Sequence, residues 1–207
     1  MQNTEKMAYS DFTLSKLQRK FGIEYHRDNL FQIPLKKTEP SERLKMDIDE
    51  GLLMPVFSEK AKSELLITPI FREIRRVNNN KFTFFSGFSF DVDSQKELNG
   101  ICDFLLTRKP DAIEINDPVF CLVEAKNRTI EEGFGQCAAE MYAAFLFNKE
   151  FGIASPVVYG CVTNAFEWVF LKLDNELIVI DNHRYSINDL PELLGALQNI
   201  IDVYFID

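Results

Sequence analysis

The stretch VFCLVEAK at 119–126 constrains the fold of this chain more than any other segment. Alternation along a strand sends Phe120, Leu122, Glu124 and Lys126 to one face and Val119, Cys121, Val123 and Ala125 to the other, with Glu124 and Lys126 about 7 Å apart. An almost wholly apolar run belongs to a buried strand, and buried strands seldom carry charge without a reason. Two opposite charges side by side at its end therefore read as a site. The spacing alone is weak evidence, because 32 acidic residues and 14 lysines give about two acid-x-Lys triplets by chance. This chain has one, and its place at the end of an apolar strand gives it meaning.

Composition sets outer limits. With 207 residues, 46% hydrophobic and 13% aromatic, the chain can bury one sizeable core, expected as one domain with an N-terminal extension. Cys102, Cys121, Cys137 and Cys161 contain no C-x-x-C pair and fit buried thiols in a reducing cytoplasm better than a disulfide or zinc framework. MQNTEKMAYS lacks a basic-then-apolar leader, and Glu140 interrupts the apolar helix near 137–147, so neither secretion nor membrane insertion is expected. A net charge of −9 argues against a general polyanion binder. Local basic groups remain at Lys16, Arg19 and Lys20, at Lys36, Lys37, Arg43 and Lys45, and at Arg72, Arg75 and Arg76. Each can be a solvated face or a phosphate track.

Along the chain, DFTLSKLQRKFG at 11–22 has helical spacing and ends on Gly, whereas the polar IPLKKTEPSERLK, with two prolines, discourages regular structure. Residues 1–57 are expected to form a helical or irregular extension packed on the core, and 58–207 the core itself. Ser58 suits the N-cap of a helix with Leu65, Leu66, Ile70, Phe71 and Ile74 as its apolar stripe, kinked or divided at Pro69. FTFFSGFSFDVD puts Phe82, Phe84, Phe88, Phe90 and Val92 on one face of a strand, with Gly87 as a bulge or bend. Strands follow at about 99–107 and 118–126, joined by RKPDAIEIND, in which AIEI can add a short extension. A helix over about 131–148 sets Gln136 and Glu140 one turn apart. VVYGCVT, a hairpin of FEWVFLKL and ELIVI across Asp174 and Asn175, and a last helix from near Asp189 towards Val203 complete the order. A strand, a helix and a returning strand form a crossover, so the expected class is α/β, a central mixed β-sheet flanked by helices on both faces.

Glu64 on the first core helix, Asp103 on the second strand, Glu124-Ala125-Lys126 on the third and Gln136 on the following helix occur in this order. In them the chain resembles the PD-(D/E)xK nuclease superfamily, over roughly Ser58 to Leu173. The resemblance implies a restriction-endonuclease-like core and a phosphodiester hydrolase acting on nucleic acid, DNA in the first place. It implies that Asp103 and Glu124 hold one or two divalent metals, that Lys126 assists near the attacking water, and that Gln136 and Glu64 support the site. The residue before Asp103 is Cys102, where the family name has proline.

The chemistry is coherent on the residues themselves. Mg²⁺, or Mn²⁺ in its place, takes oxygen ligands and keeps several waters, so Asp103, Glu124, the backbone carbonyl of Ala125 and a substrate phosphate suffice, with Glu64 a further candidate ligand. A metal-activated water would be the nucleophile, Lys126 would orient it or stabilise the developing oxyanion, and Gln136 would hold Lys126 or contact a phosphate. Each residue also has a structural reading. Glu124 with Lys126 can be an ion pair at a strand end, Asp103 a turn former, Glu64 an exposed helix residue favoured by the helix dipole, and Thr68 a core-edge hydroxyl. Glu140 reads as a helix-surface residue or one that contacts the ligands from behind. The competing functional class is a non-catalytic protein-interaction module that keeps a nuclease-like fold and binds through its acidic surface. A homodimer or a protein partner is compatible with either class. His26 and His183 lie in polar segments away from any nucleophile, which disfavours a Ser or Cys hydrolase. Gly133 and Gly135 match no nucleotide-binding loop and are expected to set the start of a helix. Phe166, Trp168 and Phe170 alternate as a hydrophobic sheet face, with base stacking the alternative if they are exposed.

Overall fold

The computed structural model describes residues 8–31, 35–153 and 157–205. Expectations that fall on residues 1–7, on Ile33 and Pro34, or on Pro156 lie outside them. The described strands are β1 (Glu24–Asp28), β2 (Thr83–Ser89), β3 (Ile101–Thr107), β4 (Val119–Ala125), β5 (Val158–Thr163), β6 (Glu167–Asp174), β7 (Leu177–Asp181) and β8 (Tyr185–Ser186). They form a single sheet in the order β1-β7-β6-β5-β4-β3-β2, with the short β8 beside β6. The β4–β5 and β1–β7 pairs are parallel and the others antiparallel, so the sheet is mixed, as expected.

The described helices are α1 (Leu14–Phe21), α2 (Glu42–Leu52), α3 (Glu59–Lys62), α4 (Thr68–Val77), α5 (Phe134–Lys149) and α6 (Leu190–Tyr204). One face of the sheet is covered by α2, α4 and α6 around Phe71, Phe104, Trp168, Phe170 and Leu197. The other is covered by α5 and α1 around Leu122, Cys137, Met141, Val162 and Val169. With both faces covered, β4 is buried along its whole length. Burying each large apolar side chain stabilises the fold by ~1.5–3 kcal/mol before the entropy of ordering it is subtracted.

Two alternations expected from the sequence break, each for a local reason. The β3–β4 register runs Leu106↔Cys121 and then Thr107↔Val119, which leaves Phe120 as the extra residue of a bulge. Phe120 consequently joins Cys121, Val123 and Ala125 in the α6-side core, while Val119 and Leu122 face α5. On β2, Gly87 takes φ +62°, a left-handed conformation that favours glycine, and the chain changes face there. Phe82 and Phe84 enter the α4-side core, Phe90 enters the α5-side core, and Phe88 packs its ring 4.9 Å from Phe85.

Ser58 caps α3 as expected, its hydroxyl accepting from the Ala61 N–H at 3.1 Å. A π-helical turn, Ser63–Ile67, then joins α3 to α4, and Pro69 lies in the first turn of α4. Proline has no N–H for the carbonyl one turn back, so the widened turn carries the helical run past it where a kink or break was expected. Gly51 of α2 packs against the Leu65 carbonyl in this turn so closely that a Cβ there would stand 2.7 Å away.

The segment expected as a helical or irregular extension supplies two unexpected elements. EYHRD forms β1 at the sheet edge, with all five residues exposed. The helix α2 begins on Ser41, whose hydroxyl accepts from the Leu44 N–H at 3.2 Å, and buries Leu44, Ile48 and Gly51. Farther upstream, α1 runs from its Thr13 cap to Gly22, as its spacing predicts, and lies over α5. Phe21 packs on Tyr142 at 4.8 Å, and the Tyr9 hydroxyl donates to the Phe90 carbonyl at 2.6 Å. Covered by this segment above and by β4 and β5 below, α5 is apolar on nearly every side.

All four cysteines are unpaired and buried. Among the described residues no helix is long and apolar enough to cross a membrane. Gly135 lets the Phe12 and Thr13 backbone lie against the first turn of α5, where a Cβ would collide with the Phe12 carbonyl. Because the obstacle is backbone, Gly135→Ala is expected to lower unfolding free energy by ~1–3 kcal/mol in urea titration. An unchanged midpoint would mean that this contact yields freely.

Candidate functional site

The β3–β4 ladder ends at the pair Phe104↔Val123, just where both strands turn polar. One residue farther on, Asp103 stands level with Glu124, and the Ala125 N–H donates to Asp103 Oδ2 at 2.8 Å. A carboxylate thus takes an N–H at the end of the strand pairing. On the other side of β4 the parallel ladder with β5 continues, and the Lys126 N–H donates to the Thr163 carbonyl at 2.7 Å. Lys126 is therefore held by a backbone bond at the tip of the central strand.

Its ammonium lies 2.6 Å from Glu124 Oε1 and donates to Gln136 Oε1 at 3.1 Å. The amide of Gln136 donates from Nε2 to Glu124 Oε2 at 2.8 Å and to Glu140 Oε1 at 3.2 Å. Gln136 and Glu140 reach the same point because they are one helical turn apart on α5. The stem of Lys126 rests on Gly133, where a Cβ would stand 3.2 Å from its Cγ. The structure brings together Asp103, Glu124, Ala125, Lys126 and Gln136, and adds Glu140.

Burial dominates the electrostatics of this cluster. It pushes the Glu124 carboxyl up to about 7, the Asp103 carboxylate adds to the rise, and Lys126 opposes it. Burial also raises Asp103, against the Ala125 N–H and Lys126. Glu140 is wholly buried and is driven well above the usual carboxylate range by burial and then by Glu124, while its Oε2 has no hydrogen-bond partner. Lys126 is raised on balance: burial lowers it, and Glu124 more than offsets that loss. A helix-surface position for Glu140 does not hold: its side chain is fully buried, accepts from Gln136 behind Glu124, and lies near enough to Tyr9 for its charge to act on that hydroxyl.

Glu64 does not join the cluster. Its side chain is 63% exposed and stands 3.8 Å from Lys60. Glu59 comes closer: its Oε1 accepts the Asn127 N–H at 3.0 Å, and its charge acts on both Asp103 and Lys126. Five residues separate Glu59 from Glu64, about 140° of helix rotation, so a helix that turns one towards β4 turns the other away. An acid in the first turn after the Ser58 cap was the signal available in the sequence. Lys62 was missed as well; it is buried and donates to the Asn127 carbonyl at 2.5 Å. His26 is exposed on β1 and His183 contacts Glu192 at 3.3 Å, both outside the cluster.

Among the described residues no group of three or more His, Cys, Asp or Glu side chains is arranged to hold a metal ion. The oxygen donors available at the end of β4 are two carboxylates, Asp103 and Glu124, and the Ala125 carbonyl, a set suited to a hard cation that keeps most of its water.

The raised Glu124 carboxyl has a consequence for stability. In the unfolded chain it ionises near the ordinary carboxylate value of about 4.3, so between that pH and about 7 the folded state holds the extra proton. Its stabilising contribution is complete below the unfolded value and is lost as pH rises through about 7. In EDTA, the stability of wild type relative to Glu124→Gln is expected to fall by about 2 kcal/mol between pH 5 and pH 8. Parallel urea-unfolding curves for the two proteins across that range would contradict the assignment. In comparison with known proteins, the chain matches no family model, and a search of curated proteins gives no match.

Proposed function

We propose that the chain is a metal-dependent phosphodiester hydrolase, a nuclease acting on DNA, with a restriction-endonuclease-like core. The observation that carries this reading is the Lys126 ammonium, held 2.6 Å from Glu124 and 3.1 Å from Gln136 at the strand end where Asp103 also stands. A structural ion pair needs neither the second acid nor the amide relay behind it.

The residues fit Mg²⁺ or Mn²⁺. Asp103 and Glu124 are crowded acids whose charges oppose one another, and a cation held between them would relieve that opposition. Asp103, Glu124 and the Ala125 carbonyl would hold the cation. When bound, such a cation neutralises charge on a phosphoryl oxygen and makes water a stronger nucleophile. Lys126 lies where it can orient water or meet negative charge developing on the phosphate. Gln136 fixes the Lys126 ammonium through Oε1 and Glu124 through Nε2, and Glu140 anchors that amide from behind. The four unpaired thiols support a reducing compartment, the cytoplasm.

A second reading, a non-catalytic interaction module on the same fold, is favoured by one observation. Both oxygens of Glu124 are already engaged, Oε1 by Lys126 and Oε2 by Gln136, so the acid is satisfied without a cation.

Labelled single- and double-stranded DNA and RNA, incubated with Mg²⁺, Mn²⁺ or EDTA, distinguish the two. Metal-dependent cutting is expected, reduced at least about a hundredfold in Lys126→Ala with the fold retained. Undiminished cutting by that variant would remove Lys126 from the chemistry, and failure to cut any substrate would favour the interaction module. Mn²⁺ is also expected to raise the melting temperature of wild type by preferential binding to the folded state, and not that of an Asp103→Asn/Glu124→Gln double variant. Equal shifts in both would mean that the cation binds elsewhere on the acidic surface.

A further inference from the structure

Beside Lys126 opens a cleft of about 450 Å³ lined by Val56, Phe57, Lys62, Asn127, Arg128 and Phe166. Its chemistry differs from the acid cluster it adjoins. Phe57 is 83% exposed and Phe166 is 37% exposed. The Lys62 ammonium stands 5.6 Å from the centre of the Phe166 ring and donates to the Asn127 carbonyl. Arg128 is exposed, and its guanidinium has no acceptor among the described residues. No acid lines the cleft among the described residues, and Glu59 accepts the Asn127 N–H. Two aromatic rings and two cations therefore line one cleft, and Asn127, the residue after Lys126, is part of its wall.

We propose that this cleft takes an unpaired nucleobase of a single-stranded nucleic acid, stacked against Phe57 and Phe166, with Arg128 meeting an adjoining phosphate and the buried Lys62 bracing the wall through Phe166 and the Asn127 carbonyl. The inference rests on the nuclease reading of the neighbouring site and names the form of its substrate. Aromatic side chains bind any base by its π face, but a base stacked in a duplex offers no free face. A sequence-tolerant stacking site thus selects single strands, loops or frayed ends. The chain carries a net charge of −9, which weakens general attraction to phosphate, so stacking supplies the selectivity at this cleft.

Binding of the full chain, in EDTA so that no bond is cut, is measured by fluorescence anisotropy. The probes are fluorescein-labelled oligothymidylate, oligouridylate and a mixed-sequence duplex, the first two separating DNA from RNA. Wild type is expected to bind a single strand more tightly than the duplex. Phe57→Ala and Phe166→Ala, both at exposed rings and expected to keep the wild-type melting temperature, should each weaken the single-strand Kd about tenfold and leave the duplex Kd unchanged. Arg128→Ala should lower the salt dependence of single-strand binding by about 0.7 in log–log slope. Equal affinity for duplex and single strand in wild type, or an unchanged single-strand Kd in both phenylalanine variants, overturns the proposal. A protein that cuts nothing but binds in the expected way keeps the cleft and loses the catalytic reading. One that cuts, while its phenylalanine variants bind single strands like wild type, loses the cleft alone.

Discussion

Removing the end of β4 from water is the constraint on which the rest of this structure turns. Glu124 is 2% exposed and Glu140 fully buried, and the cost of stripping water from an ionised carboxylate is several kcal/mol even after the surroundings relax. Lys126 offsets part of that cost for Glu124, and Gln136 supplies two N–H donations that water would otherwise make. The remainder falls on Glu140, whose carboxyl is held well above the usual carboxylate range by burial and by Glu124. An apolar set of similar volume would be at least as stable, as is common for buried ion pairs. Stability alone therefore gives no reason for these charges to lie under the cover of α5, and that mismatch is the physical case for a chemical role.

Burial of this kind has to be built. The central strand is flanked by β3 and β5, α5 lies across it, and the turn at Tyr9–Asp11 with α1 closes over α5. The glycines of the α5 approach serve the same end. Gly133 gives the Lys126 stem its space, and Gly135 admits the backbone of the covering segment. The helical run from Glu59 to Val77 walls the other side of the site, presenting Glu59 and Lys62 to the two backbone groups of Asn127.

Much of this was legible in the sequence because burial writes itself as periodicity. The strands from β2 to β7, the cap at Ser58, α5 with Gln136 and Glu140 one turn apart, and α6 from Asp189 all follow from apolar spacing and capping residues. What could not be read has specific causes. EYHRD carries no burial signal because every side chain of β1 faces solvent and only its backbone pairs. The helix α2 hides behind a proline-rich lead, although Ser41, Leu44, Ile48 and Gly51 have the spacing of a capped helix. Phe120 changes face through a bulge, and Phe88 and Phe90 through the left-handed Gly87; a strict period of two describes neither. Glu64 and Glu59 lie on one helical run, and only the rotation of that run about its axis, which spacing does not give, decides which of them faces β4. Glu140 is buried by tertiary packing that brings β4 and Tyr9 to it from far along the chain, which no local pattern contains.

The edge strand β1 also governs the order in which this molecule can be assembled. It pairs in parallel with β7, from which it is separated in sequence by every other long strand of the sheet. During synthesis β1 leaves the ribosome before β7 and before each of the five strands between them, so the sheet cannot be completed by growth outward from β1. A nucleus must form from neighbours such as β2–β3–β4 or β5–β6–β7, and β1 must wait, as an unpaired and polar ribbon, for β7 to appear. Its five exposed side chains then have a second meaning: a strand that waits for its partner while five others are made gains from carrying little that is sticky.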